Sequence, residues 1–74
     1  MENKFLSAKE VASILRISLA SVNYYTNIGL LRAQDRKGNM RLYNKVRILR
    51  DFARIKELRR RGYSLKLIRD QLET

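Results

Sequence analysis

Residues 18–31 constrain the fold of this chain more than any other segment. Their sequence is SLASVNYYTNIGLL, and Ser18 at its start is a residue type that caps helix N-termini. Gly29 stands near its end, where glycine commonly terminates a helix because it tolerates positive φ. Val22 and Tyr25 share one face at helical spacing, and small or polar side chains cover the neighbouring face. The segment therefore predicts a short helix, from Ser18 to about Ile28, that packs on a core and leaves a face without bulk or charge.

A second helix start precedes this segment. Ser7 and Glu10 match the capping box S-x-x-E, and apolar residues then recur at helical spacing as far as Leu15. We expect this first helix to end near Arg16, so that only two or three residues separate the two helices. Such a tight connection is what a helix-turn-helix requires, although an ordinary helical hairpin would show the same spacing.

In residues 30–43 the sequence pattern changes from that of a helix to that of a hairpin. Lys37-Gly38-Asn39 is a turn signal, and the four residues that follow it alternate between two faces with the period of a strand. We expect a small two-stranded hairpin, a wing, with Arg36 and Lys37 at its tip. Arg41 and Tyr43 should lie on the same face of the second strand.

Two more helices should complete a single domain over residues 1–74. Asn44 can cap a helix that Gly62 closes, and Ser64 can cap the last one. The expected organisation is a helix-turn-helix at 7–29, a wing at 30–43 and helices at 44–61 and 64–73. The apolar stripe expected on the third helix comprises Ile48, Leu49, Phe52, Ile55 and Leu58.

The charge of the chain indicates a polyanionic partner. It carries 17 Lys and Arg against 7 Asp and Glu, a net charge of +10. Residues 1–31 hold three basic and two acidic residues, whereas residues 32–69 hold fourteen and three. A positive field of this size attracts polyanions through steering and counterion release. Nucleic acid is the favoured target. The alternatives are that the chain binds an anionic membrane surface, or that its basic residues only keep it soluble.

The residue types that are absent narrow the function. The sequence has no Cys and no His, which excludes disulfides and metal sites with thiolate or imidazole ligands, and also removes the usual general base. No carboxylate pair is placed for acid–base chemistry. We therefore expect a protein that is not an enzyme and has no cofactor and no metal. No apolar run suggests a signal peptide or could span a bilayer, so we expect no membrane partner and a cytoplasmic, nucleoid-associated location.

Three short motifs follow one another along the chain. They are Ile17-Ser18-x-x-Ser21-Val22-Asn23-Tyr24-Tyr25-x-x-Ile28-Gly29-Leu30-Leu31, the wing segment Gly38-Asn39-Met40-Arg41-Leu42-Tyr43, and Gly62-Tyr63-Ser64-Leu65 with Ile68 following. In this order they resemble the DNA-binding domain of the MerR family over about residues 5–72. The resemblance implies a mainly α, winged helix-turn-helix fold of four helices with a small two-stranded hairpin wing.

Four positions depart from the pattern of that family. Asn23 stands where the family has arginine, Thr26 replaces a glutamate, and Met40 replaces the wing aromatic. Arg16 stands where the interhelical turn often has glycine. If that turn needs positive φ, arginine there would cost about 1 kcal/mol.

The resemblance implies that the second helix enters the major groove of DNA and that the wing flanks it. Asn23 and Ser21 are candidates for base edges, with asparagine suited to adenine, and Tyr24 resembles a family tyrosine that contacts the DNA backbone. Each of these side chains could instead be a solvated surface residue. The full expected DNA-binding set is Ser18, Ala20, Ser21, Asn23, Tyr24, Arg36, Lys37, Arg41, Tyr43, Lys45 and Arg47.

The expected function is sequence-specific binding of double-stranded DNA in transcriptional regulation. Two alternatives stay open: an architectural protein of the phage excisionase type that bends DNA, and an interaction module whose basic third helix binds an acidic protein or a membrane surface. The resemblance also implies RNA polymerase at a promoter as a further partner. We expect a homodimer if a coiled coil follows Thr74, and otherwise a monomer or a weak dimer, because the family typically continues into a dimerisation helix and an effector domain.

Overall fold

Four helices and three short strands make up the computed structural model, which describes residues 4–72. In chain order they are β1 (Phe5–Ser7), α1 (Ala8–Leu15), α2 (Leu19–Asn27), β2 (Asp35–Lys37), β3 (Met40–Asn44), α3 (Lys45–Arg60) and α4 (Leu65–Leu72). The mainly α fold with a hairpin between its second and third helices confirms the expected fold class. Residue 73, where the last helix was expected to end, lies outside the described residues.

Both helices of the helix-turn-helix begin at the serines that the sequence indicates. The Ser7 hydroxyl accepts a hydrogen bond from the Glu10 amide at 3.2 Å, and the Glu10 carboxylate accepts one from the Ser7 amide at 2.9 Å. Together these bonds form the capping box, and the hydrogen bond from the Ser7 amide holds the pKa of the Glu10 carboxyl below its ordinary value. Ser18 accepts a bond from the Ser21 amide at 3.0 Å and so starts α2.

The turn between α1 and α2 is made by Arg16 in a left-handed conformation. Its φ is 59° and its ψ is 43°, and it is the single non-glycine residue with positive φ between residues 4 and 72. The next residue, Ile17, donates its amide to the Ala12 carbonyl at 3.1 Å, which closes the end of α1. Arginine therefore occupies a position that favours glycine, as the sequence comparison with the family pattern predicts.

The wing hairpin belongs to a three-stranded antiparallel sheet with strand order β1-β3-β2. Within the hairpin Arg36 pairs with Arg41, and on the other side of β3 Leu6 pairs with Tyr43. The expectation of a two-stranded arrangement missed β1. A strand of three residues is too short to show a period-two pattern, and its pairing partner lies far away in the sequence.

The core lies between the helix-turn-helix, β3 and the two C-terminal helices. Its buried members are Leu6, Val11, Ala12, Val22, Leu30, Leu31, Tyr43, Ile48, Ile55 and Ile68. The expected apolar stripe of α3 is only partly right. Ile48 and Ile55 are buried and Leu58 packs against them, but Leu49 is 42% exposed and the Phe52 ring lies 5.9 Å from the Lys56 ammonium group. No helix within residues 4–72 is long and apolar enough to cross a membrane.

Candidate nucleic-acid interface

An open groove runs between α2 and the wing. It is lined by Ser7, Ala8, Lys9, Leu19, Asn23, Asn27, Arg36, Asn39, Met40 and Arg41. The lining includes three cations and three asparagines but no acidic side chain. Polar amides beside uncompensated positive charge form a surface that suits a polyanion whose edges carry hydrogen-bonding groups.

The α2 side of this groove is neutral. Asn23 and Asn27 lie four residues apart in the helix, so both project from the same face. Both are exposed, and their amides can donate as well as accept hydrogen bonds. Of the residues expected to bind DNA, Asn23, Arg36 and Arg41 therefore meet in one groove.

Arg41 is a groove cation whose side chain is oriented by a hydrogen bond. Its Nη2 atom donates a hydrogen bond to the Asn27 side-chain oxygen, with 3.3 Å between the two atoms. Its cross-strand partner is Arg36, so two positive charges stand opposite each other on the hairpin. Like charges at directly paired positions repel, which favours the orientation of the Arg41 guanidinium towards the helix.

Tyr43 was expected to contact DNA through the wing, and the structure corrects this expectation. The side chain is completely buried, and its hydroxyl lies 2.8 Å from the Thr26 hydroxyl in a part-buried position. The alternation of β3 does place Tyr43 and Arg41 on one face. However, that face meets the end of α2, so Tyr43 is covered by the helix and only Arg41 reaches the groove.

The serines at the start of α2 form hydrogen bonds with each other that cap the helix. The Ser18 hydroxyl accepts from the Ser21 amide and donates to the Ser21 hydroxyl at 2.9 Å. Ser21 is half-buried, whereas Ala20 is exposed. None of the three lines the groove, and their contact with DNA stays a prediction.

Tyr24 lies outside the groove beside the wing, on a side of α2 that faces α4. It is 53% exposed, its ring is tilted against that of Tyr25 at 6.0 Å between centroids, and it borders a shallow depression with Lys66 and Arg69 of α4. The Arg69 side chain passes so close to Gly29 that a Cβ atom built there would lie 3.3 Å from its Cδ. Helix α2 thus has cations beside it both at the wing and at α4.

Lys45 and Arg47 are not brought into either surface. They lie in the first turn of α3, neither lines the groove beside the wing, and the Arg47 Nε atom is 3.8 Å from the Asp51 carboxylate. Lys37 extends from the end of β2 and is exposed without lining the groove. Contact of these three residues with DNA stays a prediction.

Sequence reasoning missed Asn27 and Lys66 as members of these surfaces. Asn27 could have been found, because it follows Asn23 at the spacing of one helical face. Lys66 could not, because only the packing of α4 beside α2 brings it near Tyr24. Within residues 4–72 no group of three acidic side chains is placed to hold a metal ion.

The comparisons with known proteins agree with this geometry. The model of the MerR HTH family regulatory proteins matches residues 6–74. The chain belongs to this family. A MerR-family transcriptional regulator from Bacillus cereus matches with a TM-score of 0.80 and 28% sequence identity over 96% of this chain. No curated protein matches it significantly.

Membership of the MerR family assigns this chain a DNA-binding regulatory domain, a type of domain that is not typically enzymatic. The chain spans only 53% of the length of the Bacillus cereus regulator. The match therefore concerns the winged helix-turn-helix and not the other half of that protein.

Proposed function

We propose that this chain binds double-stranded DNA sequence-specifically, with α2 in the major groove and the wing beside it. The observation that carries the proposal is the groove in which the neutral amides of Asn23 and Asn27 lie beside Lys9, Arg36 and Arg41, with no acidic side chain in the lining. Asn23 can form paired hydrogen bonds with adenine in the major groove, while the flanking cations bind phosphates and set the position of the helix.

The biological role that we propose is transcriptional regulation in the cytoplasm, at promoters where RNA polymerase also binds. It rests on the family and on the Bacillus cereus regulator, and it does not require any enzymatic step. Each copy of the domain would occupy one half-site of the DNA, and pairing of two half-sites would require a second copy of the chain.

The salt dependence of DNA binding tests the electrostatic part of this proposal. Lys9, Arg36, Arg41 and Lys66 line the surfaces beside α2, and none of them forms an ion pair with another described residue. If each neutralises one phosphate, the logarithm of the association constant should fall with the logarithm of salt concentration with a slope of about −3 to −4. Fluorescence anisotropy of a labelled duplex measures that slope.

Two variants of equal charge make this experiment specific. Arg36→Ala should reduce the magnitude of the slope by about one, whereas Arg54→Ala, on the exposed side of α3, should leave it unchanged. A slope near zero, or equal effects of the two variants, would contradict the proposed surface. Equal affinity for the duplex and for a polyglutamate peptide would instead favour a basic protein-interaction module.

A further inference from the structure

The last turn of α2 is joined to β3 by two side-chain hydrogen bonds. Thr26 and the Tyr43 hydroxyl are 2.8 Å apart in a part-buried position, and Asn27 accepts from Arg41 at the surface at 3.3 Å. Thr26 and Asn27 are consecutive, whereas Arg41 and Tyr43 are two residues apart and so share a face of the strand. The helix end and the wing strand are therefore connected at neighbouring points, one fixed in the interior and one at the groove.

The surface bond differs from an ordinary ion pair because its acceptor is neutral. A carboxylate would cancel the charge of Arg41, but the amide oxygen of Asn27 leaves that charge available to a phosphate. Arg36, directly opposite on β2, cannot accept a hydrogen bond and repels the guanidinium. Asn27 is thus the side chain that gives Arg41 a defined direction in the free protein.

We propose that Asn27 is a positioning residue that holds Arg41 over the groove before DNA arrives. Because the Thr26–Tyr43 bond fixes the strand against the helix, the Asn27–Arg41 bond needs to fix only the side chain. Ordering a long arginine in advance removes part of the entropy that binding would otherwise cost. This inference rests on the proposed function, since the benefit of an ordered Arg41 appears when it meets a phosphate.

A double-mutant cycle on duplex binding tests the proposal. Asn27→Ala should weaken binding by about two- to tenfold, the effect of losing the net contribution of one ordinary, solvent-exposed hydrogen bond. The double variant with Arg41→Ala should bind no more weakly than Arg41→Ala alone, because Asn27 acts through that arginine. Wild-type affinity in Asn27→Ala, or additive losses in the double variant, would overturn the proposal. Ser13→Ala, an exposed substitution on α1, is the control and should bind as the wild type does.

A measurement on the free protein separates this inference from the proposed function. The NMR signal of the Arg41 Nε–H group should show greater mobility in Asn27→Ala than in the wild type. Asn27→Asp should keep the arginine ordered yet weaken duplex binding and reduce the salt slope by about one, since the carboxylate cancels its charge. If the wild type fails to bind any duplex, the proposed function fails. The mobility of Arg41 in the free protein then tests the positioning role by itself. Equal mobility in the wild type and in Asn27→Ala would overturn the positioning role.

Discussion

At the scale of single residues, the Tyr43 side chain was expected at the DNA interface, but its hydroxyl forms a hydrogen bond within the fold. It lies 2.8 Å from the Thr26 hydroxyl, which also donates to the Val22 carbonyl at 2.8 Å. The bond joins α2 to β3 across a long sequence separation. Removal of the hydroxyl should therefore affect stability rather than remove a direct DNA contact.

Tyr43→Phe should lower the free energy of unfolding by about 1 kcal/mol, the net value of one intramolecular hydrogen bond. The loss stays modest because Thr26 keeps the Val22 carbonyl as a partner. Urea denaturation measures it, and Tyr24→Phe is the control because Tyr24 is 53% exposed. The Tyr24 variant should stay within about 0.5 kcal/mol of the wild type. Equal effects of the two substitutions would show that the buried bond contributes nothing.

At the scale of elements, the turn of the helix-turn-helix carries conformational strain. Arg16 ends α1 with φ 59°, whereas the helix ends at Gly29 and Gly62 use glycine at φ 88° and 95°. A left-handed conformation costs a non-glycine residue roughly 1–2 kcal/mol. The tight connection that defines the motif is therefore made against the preference of the residue that makes it.

Arg16→Gly should raise the free energy of unfolding by about 0.5–1 kcal/mol, because relief of the strain exceeds the added flexibility of the unfolded chain. The matched control is Arg54→Gly, at a solvent-exposed position in the middle of α3. This substitution should lower the free energy of unfolding by about 1 kcal/mol. Both values come from urea denaturation. Destabilisation of similar size in the two variants would mean that the left-handed turn is not strained in the way proposed.

At the scale of the whole molecule, local signals in the sequence predicted most of the architecture. Ser7, Ser18 and Gly29 act on their own neighbours through hydrogen bonds and backbone freedom, and the helices begin and end where these residues indicate. The family motifs added the identification of these elements as a winged helix-turn-helix. The three-residue strand β1 escaped prediction because its pairing with β3 is non-local.

In the candidate interface, too, local sequence signals predicted some positions, and non-local packing determined the others. Asn23 and Arg41 could be predicted from helical spacing and strand alternation combined with the family pattern. The burial of Tyr43 and the approach of Lys66 to Tyr24 could not, because they result from the packing of α2 against β3 and α4. The ion pairs of α3 could not be predicted from its charge alone: Arg47 lies beside Asp51, and Arg60 and Arg61 pair with Glu57.

The most direct test of sequence-specific DNA binding by α2 is selection from a pool of random duplexes, followed by sequencing of the bound fraction. The wild-type chain should enrich a short half-site, because Asn23 and its neighbours on α2 read base edges while the cations hold the backbone. Asn23→Ala should still bind DNA but lose the preference at one base position, at a cost of about 1–3 kcal/mol in discrimination. A bound pool indistinguishable from the input, or the same half-site with unchanged preference in Asn23→Ala, would contradict base reading by this face of α2.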